Sequence, residues 1–261
     1  MNAEIEPLPR PKPFKRRKVY IALPAFNEEA GIGRLLTRID EAMQEAGQPY
    51  QVVVVNDGSK DRTAEVVSEY SKSMPVTLKE HTANQGLGAT IRDGLVAAAD
   101  LAEDRDIIVT MDADDTHTPG LMVRMVRMIS EGYDVVVASR YQPGARTVGV
   151  PAYRRLVSYF ASIVFRVVLP IKGLRDFTCG YRAYRGEVIK RAVKEYGPRF
   201  VDQEGFQCMV DILLKLRNLH LLFGEVPLVL RYDYKEGASK MKVGSTIVRT
   251  LALVVRRRFV G

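Results

Sequence analysis

Short apolar runs alternate along this chain with longer segments whose apolar residues fall at helical spacing. Val19-Tyr20-Ile21-Ala22-Leu23 is closed by Pro24, and over 28–46 the positions Ile32, Leu35, Leu36, Ile39 and Met43 mark one helix face. Val52-Val53-Val54-Val55 is continuous and β-branched, the pattern of a strand covered on both faces, and Asn56-Asp57-Gly58-Ser59 breaks it before a helix over 61–73. The unit repeats with a strand over 76–78, a helix opened by Gly86 and Gly88, and a strand over 106–111. A helix over 119–130 and a strand over 135–138 follow. Strands alternating with helices predict an α/β fold: a Rossmann-like, mostly parallel central sheet with helices on both faces and right-handed crossovers.

Beyond residue 140 the pattern is less regular. Residues 153–168 place Leu156, Tyr159, Phe160, Ile163, Val164 and Val167 on one face, which reads either as a core helix or as one lying against a membrane surface. A helix over 204–216 and a strand over 227–231 complete the expected elements. The principal domain is expected over 19–242, between a basic flexible tail (1–18) and a basic amphipathic C-terminal helix (243–261).

Charge adds a substrate class. Lys and Arg number 39 against 31 Asp and Glu, a formal net charge of +8, which attracts phosphates. The excess gathers at the ends, in Arg10 to Lys18 and again in Lys235 to Arg258, as anion-facing segments or simply as solvated surface. Cys179 and Cys208 are too few for a disulfide framework or a cysteine-built zinc site; a reduced cytoplasmic compartment fits, with a bond between the two left open. No apolar leader is visible near Met1, and the best apolar stretch, 247–255, is broken by Arg249 and falls short of the roughly 20 residues a span needs. Membrane contact is therefore expected to be peripheral or through a membrane-protein partner.

In an open parallel sheet, ligands bind beyond the carboxyl ends of the strands. Three such ends are rich in polar residues: Pro24-Ala25-Phe26-Asn27-Glu28-Glu29, Asn56-Asp57-Gly58-Ser59 and Asp112-Ala113-Asp114-Asp115. Each alone reads as a turn; in this order and spacing they form a constellation. Alternation sets Asp112 and Asp114 toward one side of an extended segment, and the small Ala113 lets a ligand approach the backbone. Hard carboxylate oxygens suit Mg2+ or Mn2+, which can offset the charge that builds as a nucleoside diphosphate leaves an anomeric carbon. Asp57 can accept hydrogen bonds from a base or ribose.

These motifs, with Asn84-Gln85-Gly86-Leu87-Gly88, Ser139-Arg140-Tyr141 and the run from Asp176 to Tyr184, resemble glycosyltransferase family 2 of GT-A fold, and within it the dolichol- and polyprenyl-phosphate mannosyltransferase group, over about 19–242. The resemblance implies donor-nucleotide contacts at Pro24, Phe26, Glu28, Val55 and Asp57, and metal and diphosphate contacts at Asp112, Ala113 and Asp114. It also implies sugar or lipid-phosphate contacts at Arg140, Arg154 and Ser158, while Lys240 of Gly237-Ala238-Ser239-Lys240 is expected to reach the donor diphosphate. Catalysis is accordingly expected from Asp112, Asp114 and Arg140. The implied reaction is inverting, metal-dependent transfer of a hexose, mannose from GDP-mannose, to a polyprenyl or dolichyl phosphate by a cytoplasmic, peripherally membrane-associated enzyme.

The chain departs from the family pattern at Thr116, where Gln commonly supplies a further metal contact; Thr116, Asp115 or water is expected there. Tyr234 stands where an arginine is usual, and Phe26 where tyrosine is common. His117 reads as an exposed loop histidine, with a metal-ligand or catalytic role as the other reading. Two further functions stay open. A UDP-sugar donor or soluble saccharide acceptor would call for a carboxylate base, Asp176 or Asp202. A non-catalytic nucleotide or nucleic-acid binder would use the basic ends, but such a binder gains nothing from acidic clusters in its cleft, and nucleic acid is not the expected partner.

Overall fold

The computed structural model describes residues 16–234. Along the chain it runs β1 (Val19–Ala25), α1 (Glu29–Glu45), β2 (Tyr50–Asn56), α2 (Thr63–Tyr70), β3 (Val76–Glu80), α3 (Leu87–Leu101), β4 (Ile107–Thr110), α4 (Leu121–Ser130), β5 (Val135–Ser139), β6 (Arg146–Val148), α5 (Ala152–Val168), β7 (Arg182–Arg185), α6 (Gly186–Tyr196), α7 (Cys208–Arg217), β8 (Phe223–Pro227) and β9 (Val229–Arg231).

The main sheet has the order β3-β2-β1-β4-β7-β5-β8, parallel except at β7, which pairs antiparallel with both β4 and β5. β1 and β2 run in register from Val19 opposite Tyr50 to Ala25 opposite Asn56. Four successive valines in β2 are buried because α-helices cover both sheet faces, which is why that strand reads as an unbroken apolar run. The chain leaves β1 toward β2 on one side and returns as β4 on the other, so a topological switch point lies between β1 and β4. The polar turns after β1, β2, β4 and β5 line up along the edge that carries it.

Three expectations need correction. The apolar pattern does not predict β7: Arg182-Ala183-Tyr184-Arg185 carries no apolar run, yet Arg182 is fully buried because it donates to the carbonyls of Cys179, Phe177 and Met209. That satisfies the guanidinium without a carboxylate and ties the 177–182 segment to α7. The strand expected over 227–231 splits into the end of β8, whose Glu225 and Pro227 hide it from a periodicity argument, and β9, which leaves the main sheet to pair with β6. The core-helix reading of residues 153–168 fails as well. Within α5 only Ser162 and Phe165 are buried, whereas Val167 is 73% exposed, Phe160 59% and Leu156 57%.

Both cysteines are buried, unpaired thiols, and burial pushes each up to about 12, so neither is a thiolate at neutral pH. Among the described residues no helix is long and apolar enough to cross a membrane.

Candidate active site

The turn after β1 is laced to the turn after β2. Asn27, held at φ 51, receives a hydrogen bond from Lys60 N on its side-chain oxygen, and its own N–H donates to Ser59 Oγ; Glu28 N donates to Thr63 Oγ1. This brings the expected donor residues Pro24, Phe26, Glu28, Val55 and Asp57 together at the ends of β1 and β2, where Pro24 pairs with Val55 in the sheet, but none of the five lines the cavity that Asp112 and Asp114 border. Asp57 is 3% exposed: Oδ1 accepts from Gln85 N and sits 2.7 Å from His81 Nδ1, and Oδ2 accepts from Gly86 N. Three of the roughly four acceptor positions of a carboxylate are thus filled by the protein. Asp57 fixes the turn into α3 and keeps about one position for a ligand. His81, which carried no motif signal, completes this arrangement by bridging Asp57 to Asp93 Oδ2 at 3.0 Å.

One wall is the loop after β4. Asp112 and Asp114 both border a cavity of about 630 Å3, and between them Ala113 turns inward and is buried in the core, so any contact it makes to a ligand is through its backbone. Gly180 lies against this loop: a Cβ there would come within 3.1 Å of Asp112 Oδ1, so a side chain would push the Asp112 carboxylate aside by a few tenths of an ångström. Thr116 donates from both its hydroxyl (2.7 Å) and its N–H (3.2 Å) to Asp114 Oδ1, and so orients Asp114. Asp115 faces away. Held at φ 57 and fully buried, it is gripped by Arg34 and Arg38 of α1, and the expectation that it could complete a metal site fails. His117 is also a correction: it is 4% exposed and borders the same cavity.

The remaining wall joins β5 to α5. Arg140 Nε and Nη2 each lie 2.7 Å from the Asp176 carboxylate, in a two-pronged pair, and Nη2 also reaches Thr178 Oγ1. Burial works against the Asp176 charge, but Arg140 and the backbone N–H donors around it outweigh burial and hold the carboxyl below its ordinary range. Glu225 shows the opposite balance: burial pushes it up, although it accepts from Arg175 N and Asp176 N. From α5, Arg154 and Ser158 face the cavity with Tyr159; the Tyr141 hydroxyl lies 2.8 Å from Ser158 Oγ and donates to Ser158 O, so Ser158 is partly engaged. Lys240 and the expected C-terminal helix lie outside the described residues.

Asp112 and Asp114 are the hard-oxygen donors that a divalent cation prefers. Among the described residues no three His, Cys, Asp or Glu side chains already meet as a closed metal cage. A pair bordering an open cavity fits a cation that keeps positions for substrate or water, as a catalytic ion must.

A mostly parallel sheet covered by helices on both faces, with acidic residues at its switch point, is the GT-A fold of glycosyltransferases. Glucosyl-3-phosphoglycerate synthase from Mycobacterium tuberculosis, solved with Mn2+, UDP and glucosyl-3-phosphoglycerate, shares that fold with a TM-score of 0.66 at 19% identity, over 93% of this chain and 80% of that one. The model of glycosyl transferase family 2 matches residues 20–192, and the chain belongs to that family. It is 34% identical over 240 residues to dolichol-phosphate mannosyltransferase of Pyrococcus furiosus, covering 92% of this chain and 63% of that longer protein. It is 30% identical to polyprenol monophosphomannose synthase of Mycolicibacterium smegmatis, over 88% of this chain and 83% of that one.

Proposed function

We propose that this chain transfers a hexose, mannose from GDP-mannose, to a polyprenyl phosphate, with inversion at the anomeric carbon. The observation that carries this reading is a cavity that joins the acidic pair to the apolar helix α5: Asp112 and Asp114 border it together with Arg154, Ser158 and Leu156. Such a cavity suits two substrates that meet at one carbon, a charged diphosphate and a lipid with a phosphate head. The names of the relatives, a dolichol-phosphate mannosyltransferase and a polyprenol monophosphomannose synthase, support the same acceptor class.

In the proposed step an oxygen of the acceptor phosphate attacks C1 of the sugar from the face opposite the diphosphate. The C1–O bond to the diphosphate breaks, and the nucleoside diphosphate departs with the bonding pair. No proton has to be removed, because an ionised phosphate is already a nucleophile. Mg2+ or Mn2+ held by Asp112 and Asp114 would supply positive charge for the departing diphosphate; the presence of Mn2+ and UDP together in the structural neighbour supports that role. Thr116 orients the Asp114 carboxylate, Asp57 and His81 fix the turn beside the nucleoside, and Arg154 offers a forked cation to the acceptor phosphate. Lys240 is proposed to reach the diphosphate.

A saccharide acceptor would need a carboxylate able to take a proton. Asp176 is fully buried and committed to Arg140, and Asp202 pairs with Lys215 at 3.4 Å, which favours the phosphate acceptor. The exposed apolar residues of α5 and the basic ends favour peripheral association with a membrane on its cytoplasmic side. Liposome flotation should rise with anionic lipid and fall in the Leu156→Ser/Phe160→Ser variant; flotation indifferent to both changes would remove the membrane from the proposal.

The decisive assay offers radiolabelled GDP-mannose, UDP-glucose and UDP-N-acetylglucosamine with Mn2+, with and without polyprenyl phosphate. Lipid-soluble counts from GDP-mannose are expected, and their absence with every donor would sink the proposal. In the same assay Arg154→Ala is expected to raise KM for the lipid phosphate by about tenfold, the loss of one charge-assisted contact, with KM for the donor nearly unchanged. Equal shifts in both constants would refute the assignment of Arg154 to the acceptor.

A further inference from the structure

His117 carries the strongest unassigned signal in the molecule. Its ring is stacked on Tyr181, with centroids 5.1 Å apart at 28°, and its backbone bridges antiparallel to Leu230, so its place is set by the fold. Tyr181 is itself fully buried and donates toward the carbonyls of Thr118 and Pro119. Yet among the described residues the imidazole makes no side-chain hydrogen bond. Nδ1 is buried without a partner, and Nε2 stands 4.0 Å from Asp112 Oδ2, beyond hydrogen-bond range. Burying a histidine unpartnered destabilises a fold, and such a group calls for an explanation in a bound ion or a chemical role.

The gap has the dimension of a cation site. Two ligands each about 2.1 Å from one ion are at most about 4.2 Å apart, so an ion can sit between Nε2 and Oδ2 with little movement of either. The neighbouring candidates are already committed: the Thr116 hydroxyl donates to Asp114, and Asp115 is turned away onto Arg34 and Arg38. We propose that His117 Nε2 is a ligand of the cation held by the acidic pair, and that this nitrogen biases the site toward Mn2+ over Mg2+. The bias follows from ligand chemistry, since imidazole binds the later, softer metal better while Mg2+ favours an all-oxygen set. The inference rests on the reading of Asp112 and Asp114 as the cation site and goes beyond it by naming a nitrogen ligand and a selectivity.

The test uses the full chain with GDP and Mn2+, read by electron spin-echo modulation, which detects a nitrogen bound directly to Mn2+. A coupling from a bound nitrogen is expected in the native protein and is expected to vanish in His117→Gln while Mn2+ and GDP still bind. Of the chain's 3 histidines, His81 has both ring nitrogens on carboxylates and His220 is exposed, so loss of the coupling in this variant identifies the ligand. The ratio of Mn2+ to Mg2+ affinities, from nucleotide-dependent thermal stabilisation, should fall by about tenfold in the variant. Bound Mn2+ with no nitrogen coupling in the native protein, or a coupling that persists in His117→Gln, overturns the His117 assignment and leaves the acidic pair standing. Failure of Mn2+ to bind with either GDP or UDP overturns both. A lower melting temperature with an unchanged metal ratio marks a packing role only and also overturns the proposal.

Discussion

Asp114→Asn is expected to reduce sugar transfer by at least about a thousandfold while the protein stays folded. The substitution separates charge from shape. Asn keeps a side-chain oxygen that can still accept from the Thr116 hydroxyl and N–H, two of the bonds that orient Asp114 now. What disappears is one negative charge beside the proposed cation. Because that charge is asked to hold the ion where the diphosphate departs, its loss should appear in kcat as well as in the metal requirement. Turnover of radiolabelled donor across a Mn2+ titration, with the melting temperature as control, measures both. Transfer within tenfold of the native rate at saturating Mn2+ would remove Asp114 from the cation site.

The strand ends that build this site are legible in the sequence because parallel strands buried on both faces read as unbroken apolar runs, each closed by a polar turn. Val52 to Val55 before Asp57, and Ile107 to Thr110 before Asp112, are of that kind. β7 is not legible, because its burial depends on Arg182 finding three carbonyls that only the folded loop and α7 provide. His117 is misread for a related reason: a histidine among Thr, Asp and Pro looks like surface, and it is contacts far along the chain, with Tyr181 and Leu230, that fix it inside. In α5 the periodicity is right but undecided, since an apolar stripe has the same spacing whether it meets a core or a bilayer; the exposure of Phe160 and Val167 resolves it against the core. Arg140 and Asp176 each stand out in the sequence for chemistry of their own, but periodicity cannot reveal that they are committed to each other.

That pair carries the largest expected loss of stability. Asp176→Asn should destabilise the fold by about 3–5 kcal/mol, the usual result of removing one partner from a buried ion pair. The N–H groups around this carboxylate can only donate: Oδ2 receives Arg140 N and Nε, and Oδ1 receives Arg140 Nη2, Thr178 N and Cys179 N, with the Thr178 hydroxyl at 3.4 Å from Oδ1. Whichever oxygen becomes an amide NH2, at least two of those donors then face another donor, and the Arg140 charge is left without its counterion. At roughly 2–4 °C per kcal/mol for a chain of this size, the melting temperature should fall by on the order of 10 °C at pH 7. The sign of the pH effect follows from the carboxyl being held below its ordinary value in the folded protein. Its stabilisation is complete above the unfolded value of about 3.9 and is lost as pH falls through the lower folded value. The gap between native and variant melting temperatures should therefore narrow below about pH 4, as the native carboxyl becomes neutral like the amide. A gap that stays constant into acid, or one under about 1 kcal/mol at pH 7, would mean that the charge of Asp176 is not what holds Arg140 at the cavity wall, and would return Arg140 to the phosphate-binding role expected from the sequence.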